Sequence, residues 1–255
     1  MDFSWLQSAF TRTFLDDDRY KLFVQGFQNT IKITVGALVI GVLIGLLVAV
    51  LRVYVYQCQP QPFWKSLKNF LKTGRLFWLK HAGLKLLDGF LYLYLTIFRG
   101  TPVLVQLMIW AFVILPTIEG SLVAVVAFGI NSGAYVAEIA RAGIMAVDRG
   151  QTEAGRSLGL SAWTTMRLIV LPQAFKNVLP ALGNELISLL KETSVVGYIA
   201  IIDITKAAAL VRARTFDAFF PLLCIAAIYL ILVVILSMLQ RRLERYLQQS
   251  ERRNA

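Results

Sequence analysis

Between Lys32 and Arg52 the chain reads Ile33-Thr-Val-Gly-Ala-Leu-Val-Ile-Gly-Val-Leu-Ile-Gly-Leu-Leu-Val-Ala-Val-Leu51, nineteen residues without a charge. At about 1.5 Å of rise per residue, a helix of this length crosses most of a hydrocarbon core about 30 Å thick. The run predicts a transmembrane helix, which with its flanks covers residues 25–56. On its N-terminal side stand Asp16, Asp17 and Asp18, and no small-residue cleavage site follows it. It therefore reads as a retained span and not as a secretory signal.

Four further apolar stretches lie downstream. Residues 88–115 form a second span, interrupted by Arg99-Gly-Thr-Pro102 and so kinked, because Pro102 removes a backbone donor; an interfacial helix feeding a span is the alternative. Residues 119–141 form a third. A fourth, over 176–202, is weaker because it holds Glu185, Lys191 and Glu192, whereas the fifth, over 218–240, carries no charge. Composition agrees with lipid as the main solvent: 57% of the 255 residues are hydrophobic, 16% are charged, and mean hydropathy is +0.65.

Five spans put the termini on opposite sides of the membrane, and the basic residues divide accordingly. The segments 53–87, 139–176 and 241–255 hold sixteen Lys and Arg, and the opposite segments hold six. By the positive-inside bias, the C-terminus and the two long basic loops face the cytoplasm and the N-terminus faces outward. The net charge of +11 thus reads as membrane anchoring and not as a nucleic-acid surface.

Residues 57–87 have a character of their own. Phe63, Trp64, Leu67, Phe70, Leu71, Phe77 and Trp78 alternate with Lys65, Lys68, Lys72, Arg75, Lys80 and Lys85. Spacings of three and four place the aromatics on one helical face, as in a basic amphipathic helix lying among lipid headgroups; a helix packed on a partner subunit is the alternative. Cys58 and His81 have no neighbours at metal-ligand spacing, and Cys224 would lie across the membrane from Cys58. No metal site, disulfide or Cys/His nucleophile is expected.

Several functions are excluded on these grounds. No Ser/His pair, paired Asp or HExxH arrangement supports an intramembrane enzyme. An odd number of spans cannot be divided into the inverted repeats of many secondary transporters. A path across the membrane would then form between two subunits.

The loop over 148–172 is the informative segment. Helix formers from Gln151 to Leu158 stop at Gly159, which suits a left-handed cap, and Ser161 can N-cap a second short helix running to Pro172. Leu158, Leu160, Trp163 and Leu168 cannot all turn inward on so small a unit, so another protein is expected to cover some of them; a long loop folded onto its own inner surface is the alternative.

These residues carry a resemblance. Glu153-Ala154-Gly155, then Gly159, then Ile169-x-Leu171-Pro172 resembles the EAA loop of permease subunits of binding-protein-dependent ABC importers, with matching spacing throughout. Gly155 stands where that family usually has a second Ala. Phe98-Arg-Gly-Thr-Pro102, Ala134 to Arg141 and Leu190-Lys-Glu-Thr-Ser194 are similar to the polar amino-acid group of these permeases, and the likeness extends over about residues 25–245.

The resemblance implies an all-α integral membrane protein with five transmembrane helices, the type I ABC importer permease fold and a cytoplasmic coupling-helix loop. It implies a pair of permease subunits, identical or related, standing on two cytoplasmic ATPase subunits and fed by an extracytoplasmic solute-binding protein in the bacterial plasma (inner) membrane. No phosphate-cradling loop occurs in the chain, so ATP and Mg are expected on the partner ATPase and no cofactor on this subunit. Charged and polar residues within the spans are candidates for the translocation path or gate: Thr101, Gln106, Tyr135, Glu138, Arg141, Glu185, Lys191, Glu192, Thr193 and Ser194. Glu138 and Arg141 are one turn apart and can pair, and a helix break is expected near Lys191. A channel subunit and a membrane scaffold for a soluble ATPase are the rival readings.

Overall fold

The apolar runs become helices because only a helix satisfies every backbone group without water. The computed structural model describes residues 4–58, 62–73 and 76–252, with the backbone alone for Gln57, Leu76, Phe77 and residues 248–252. Every element among them is helical: α1 Ser4–Phe10, α2 Tyr20–Cys58, α3 Phe63–Thr73, α4 Leu76–Gly100, α5 Val103–Ile109, α6 Gly120–Met145, α7 Arg149–Ser157, α8 Ala162–Thr165, α9 Leu171–Glu192, α10 Ile204–Thr215 and α11 Phe219–Arg252. Tyr20–Tyr56, Gly120–Met145 and Phe219–Leu247 are each long and apolar enough to cross a membrane, and two bent pairs bring the set to five if each pair is one span.

The bent pairs differ from the expected outlines. The second span is broken outright, with 109° between Trp78–Gly100 and Val103–Ile114. A proline within a continuous helix would only kink it. Here Thr101 and Pro102 leave the helix, and the Thr101 hydroxyl turns back to donate to the Ile97 carbonyl at 2.8 Å. The first arm starts at Leu76, so the sequence boundary at residue 87 falls inside one helix.

The other bent pair joins Ala162–Ile199 to α10 at 48°. Pro172 does not end the second arm of the loop. A π-helical turn over Met166–Val170 leads directly into α9, and Pro172 stands just past that turn inside a continuous helical arm. α9 tightens to a 3-10 helix over Thr193–Ile199, and the break comes at Ala200, with φ of 64°, and not at Lys191.

The chain forms two compact units: residues up to 40 with 103–129 and 179 onward, and residues 41–102 with 130–178. In the first, Ile33, Ala37, Leu107, Phe128, Leu189 and Val196 make one core, and Phe23, Ile204, Ala208, Val211 and Ile225 make another. α10, which lies between the fourth and fifth expected spans, is anchored here. Buried Asp203 caps it by accepting from the amides of Thr205 at 3.1 Å and Lys206 at 2.9 Å. Asn29 donates to the Ile202 carbonyl at 2.9 Å.

In the second unit, Val48, Leu91, Leu95, Ala134 and Ala137 pack together. Gly45 lets α2 approach α6 closely, since a Cβ there would lie 2.5 Å from Val136. The Tyr94 hydroxyl donates to the Ile130 carbonyl at 2.6 Å and the Asn131 amide to the Phe98 carbonyl at 2.9 Å, fastening α4 to α6.

The insertion forms a hairpin of α3 on α4. Its aromatics do not share one face. Phe63, Leu67 and Phe70 are half-buried, whereas Trp64 and Leu71 are each 76% exposed among Lys65, Lys68 and Lys72. Arg75 and the Phe77 side chain lie outside the described residues.

Candidate functional site

The loop over 148–172 is built as two arms locked at a glycine. Asp148 starts α7 by accepting from the Gly150 amide at 2.6 Å, and the helix ends in a Schellman motif: Leu160 donates to the Gly155 carbonyl at 3.1 Å and Gly159 to the Arg156 carbonyl at 3.0 Å. Gly159 has φ of 82°, the left-handed conformation that a Cβ disfavours. Ser161 then caps α8 by accepting from the Thr164 amide at 3.0 Å.

Gly155 is buried against the second arm. A Cβ on it would come to 2.7 Å from Thr165 Cγ2 and 3.0 Å from Ile169 Cδ1. Its departure from a second Ala is therefore a packing requirement of this loop. Val147, Val170 and Ala174 form the small core beneath. The outer surface is apolar: Leu158, Trp163 and Leu168 are 81%, 67% and 64% exposed, while Leu160 and Ile169 are half-buried. Glu153, Ala154, Leu171 and Pro172 are also exposed, and Glu153 makes no hydrogen bond or ion pair among the described residues.

The path candidates fall into two groups, one in each unit. In the second unit Arg141 donates through Nε to Glu138 Oε1 at 2.9 Å, and Arg99 Nη1 lies 3.7 Å from Glu138 Oε2. The Arg99 guanidinium also lies 5.7 Å from the centre of the Tyr135 ring. Arg52, Thr96, Arg99, Glu138 and Arg141 line a cavity of about 500 Å³. Arg52 and Arg99 were not among the sequence candidates. Arg99 interrupts an apolar run and could have been found as an intramembrane charge, whereas Arg52 reads as a flank of the first span. Thr101 stands in the same unit at the break between α4 and α5.

In the first unit Gln106 is buried on α5, and Glu185 is half-buried on α9. Lys191 is exposed and Glu192 half-buried where the α-helix gives way to the 3-10 turn. Thr193 is fully buried, donates to the Leu190 carbonyl at 2.9 Å and sits 3.3 Å from the Thr34 hydroxyl, which makes it a helix-to-helix contact. Ser194 is half-buried.

Residues 82–249 match the family described as the binding-protein-dependent transport system inner membrane component. The chain belongs to this family. The permease is 37% identical over 229 residues to a putative glutamine transport system permease protein of Rickettsia bellii, with 88% of this chain and 92% of that one covered. It is 35% identical over 233 residues to the arginine transport system permease protein of Bacillus subtilis, covering 89% and 93%. Among solved structures it is similar to an amino acid ABC transporter crystallised with histidines, at a TM-score of 0.74 and 36% identity over 96% of this chain and 99% of that one. The inward-facing MetNI methionine ABC transporter shares the fold at a TM-score of 0.68 and 22% identity, over 91% and 99%. The permease thus has the type I ABC permease fold and is an inner-membrane transport component, not itself catalytic.

Proposed function

We propose that this permease carries a polar or charged amino acid across the bacterial inner membrane by alternating access, as one of a pair of permease subunits on two cytoplasmic ATPases. ATP and Mg are bound by those ATPases, and an extracytoplasmic solute-binding protein delivers the substrate. The observation that carries the reading is the 148–172 loop. Its two arms are rigidly joined, yet it turns Leu158, Trp163 and Leu168 away from its own core and leaves Glu153 unpaired, which suits docking into a partner's cleft. Glu153 meets a basic side chain or backbone donor there, and ATP-driven closure moves the loop and the spans attached to it.

The substrate class is supported by the names of the relatives and by the cavity beside Glu138. Its three guanidiniums outnumber its one carboxylate, which Arg141 and Arg99 already engage, and that excess of positive charge suits the carboxylate every amino acid carries.

The test is Gly159→Asp. No atom lies within 4 Å of a Cβ at this position, so the internal cost is the backbone strain alone, about 1 kcal/mol. The variant should insert normally, lose co-purifying ATPase and lose solute-stimulated hydrolysis. Normal association with normal turnover would reduce the loop to a linker.

A further inference from the structure

A second and larger cavity, of about 900 Å³, lies within the second unit where the end of α2, the root of the α3–α4 hairpin and the coupling loop meet. Its rim carries four cations, Arg52, Lys85, Arg141 and Arg149, and one acid, Asp88. Two cations are already satisfied: Lys85 pairs with Asp88 at 2.9 Å, and Arg141 pairs with Glu138. Arg52 and Arg149 make no hydrogen bond or ion pair among the described residues. Arg149 is thus uncompensated, and Arg52 feels only the longer-range attraction of Glu138, which Arg141 and Arg99 already hold. Of the apolar lining residues Val55, Val147 and Val170 are buried, whereas Lys85 and Arg149 are exposed.

Arg52 directly follows the charge-free run of the first span, and Arg149 follows the end of α6 by four residues. Both stand at the margin of apolar helices, the level of lipid headgroups. A free amino acid fits poorly, because its ammonium would find only cations and an acid already paired. Positive charge beside an apolar slot is complementary to a molecule with an anionic head and a hydrocarbon body.

We propose that this cavity binds one anionic glycerophospholipid, its phosphate held by Arg52 and Arg149 and an acyl chain lying along the apolar wall. The ligand would touch α4 through Lys85 and both arms of the coupling loop through Arg149 and Met166, so its occupancy braces the loop against the insertion. Lysines 65, 68 and 72 on the outer face of α3 favour the same surface. The positive-inside count over segments 53–87 and 139–176 would put this lipid in the inner leaflet, but the site itself does not depend on that orientation.

The experiment uses the purified complex of permease and ATPase and reads retained lipid by native mass spectrometry. A mixture of phosphatidylglycerol and phosphatidylcholine is supplied, with and without inorganic phosphate. The wild-type complex should retain phosphatidylglycerol selectively, and Arg52→Gln with Arg149→Gln should weaken retention by roughly thirtyfold, two basic contacts being removed. Lysine at both positions should restore it. In vesicles, solute-stimulated hydrolysis should rise with the phosphatidylglycerol fraction in the wild type and lose that dependence in the Arg149→Gln variant. Equal retention of the two lipids, undiminished retention in the double variant, or displacement by millimolar phosphate would each overturn the proposal. Selective retention without any amino-acid-stimulated hydrolysis would instead refute the transport reading and leave the lipid site standing.

Discussion

Gly155 and Gly159 are four residues apart in one loop and are glycine for unrelated reasons. Gly159 answers to a dihedral angle, Gly155 to a neighbour. Gly155→Ala should therefore force Thr165 and Ile169 aside and destabilise the loop by about 1–3 kcal/mol, the usual range for overpacking. Limited proteolysis of the complex should show faster cleavage within 148–172, and Thr165→Ser made together with Gly155→Ala should restore part of the resistance by removing Cγ2. At Glu192, half-buried where α9 tightens, Gln keeps the shape and deletes the charge. If this residue serves the path or gate, uptake or basal ATP hydrolysis changes with little loss of assembled complex. Unchanged rates would assign it to structure.

At the scale of elements, α10 hangs on one capping residue. Asp203 is fully buried and accepts both amides at the start of the helix, and Gly26 lies so close beneath that a Cβ there would come to 2.6 Å from the Asp203 carbonyl oxygen. Asp203→Ala should cost about 1–2 kcal/mol and expose α10 amides to hydrogen exchange, while Asp203→Asn should retain most of the protection. What the sequence disclosed among these elements follows the range of the forces involved. Gly159 and Ser161 were legible as caps because a cap is decided by residues within one turn of it. The ion pair of Glu138 with Arg141 was legible for the same reason. Pro102 announced a bend, but its 109° depends on what α5 packs against, chiefly the core around Leu107 and Phe128. The break expected beside the charged pair at Lys191 lies instead at Ala200, where burial of Val196 and Ile199 prolongs the helix and capping by Asp203 starts the next. Arg99 joined the Glu138 group only through the Tyr94 and Asn131 bonds that fix α4 on α6, contacts more than thirty residues apart in the chain. The clash at Gly155 was likewise invisible, because it belongs to a partner ten residues on.

At the scale of the whole molecule, sixteen basic residues on one set of segments against six on the other predict that the first set faces the cytoplasm. With Cys58 and Cys224 replaced by serine, a cysteine at Lys65 should resist an impermeant maleimide in intact cells, and a cysteine at Asp17 should react. The reverse pattern would invert the permease. The hairpin that bears Lys65 has a further property, set by the unbroken course of α4 from Leu76 to Gly100. Each residue gained or lost between Leu76 and Leu87 rotates α3 about the α4 axis by about 100° and swings its lysines off the face they now occupy. Changes of seven or eleven residues return to within about 20° of the starting phase. The insertion can thus lengthen or shorten in descent within α4 only in quantised steps.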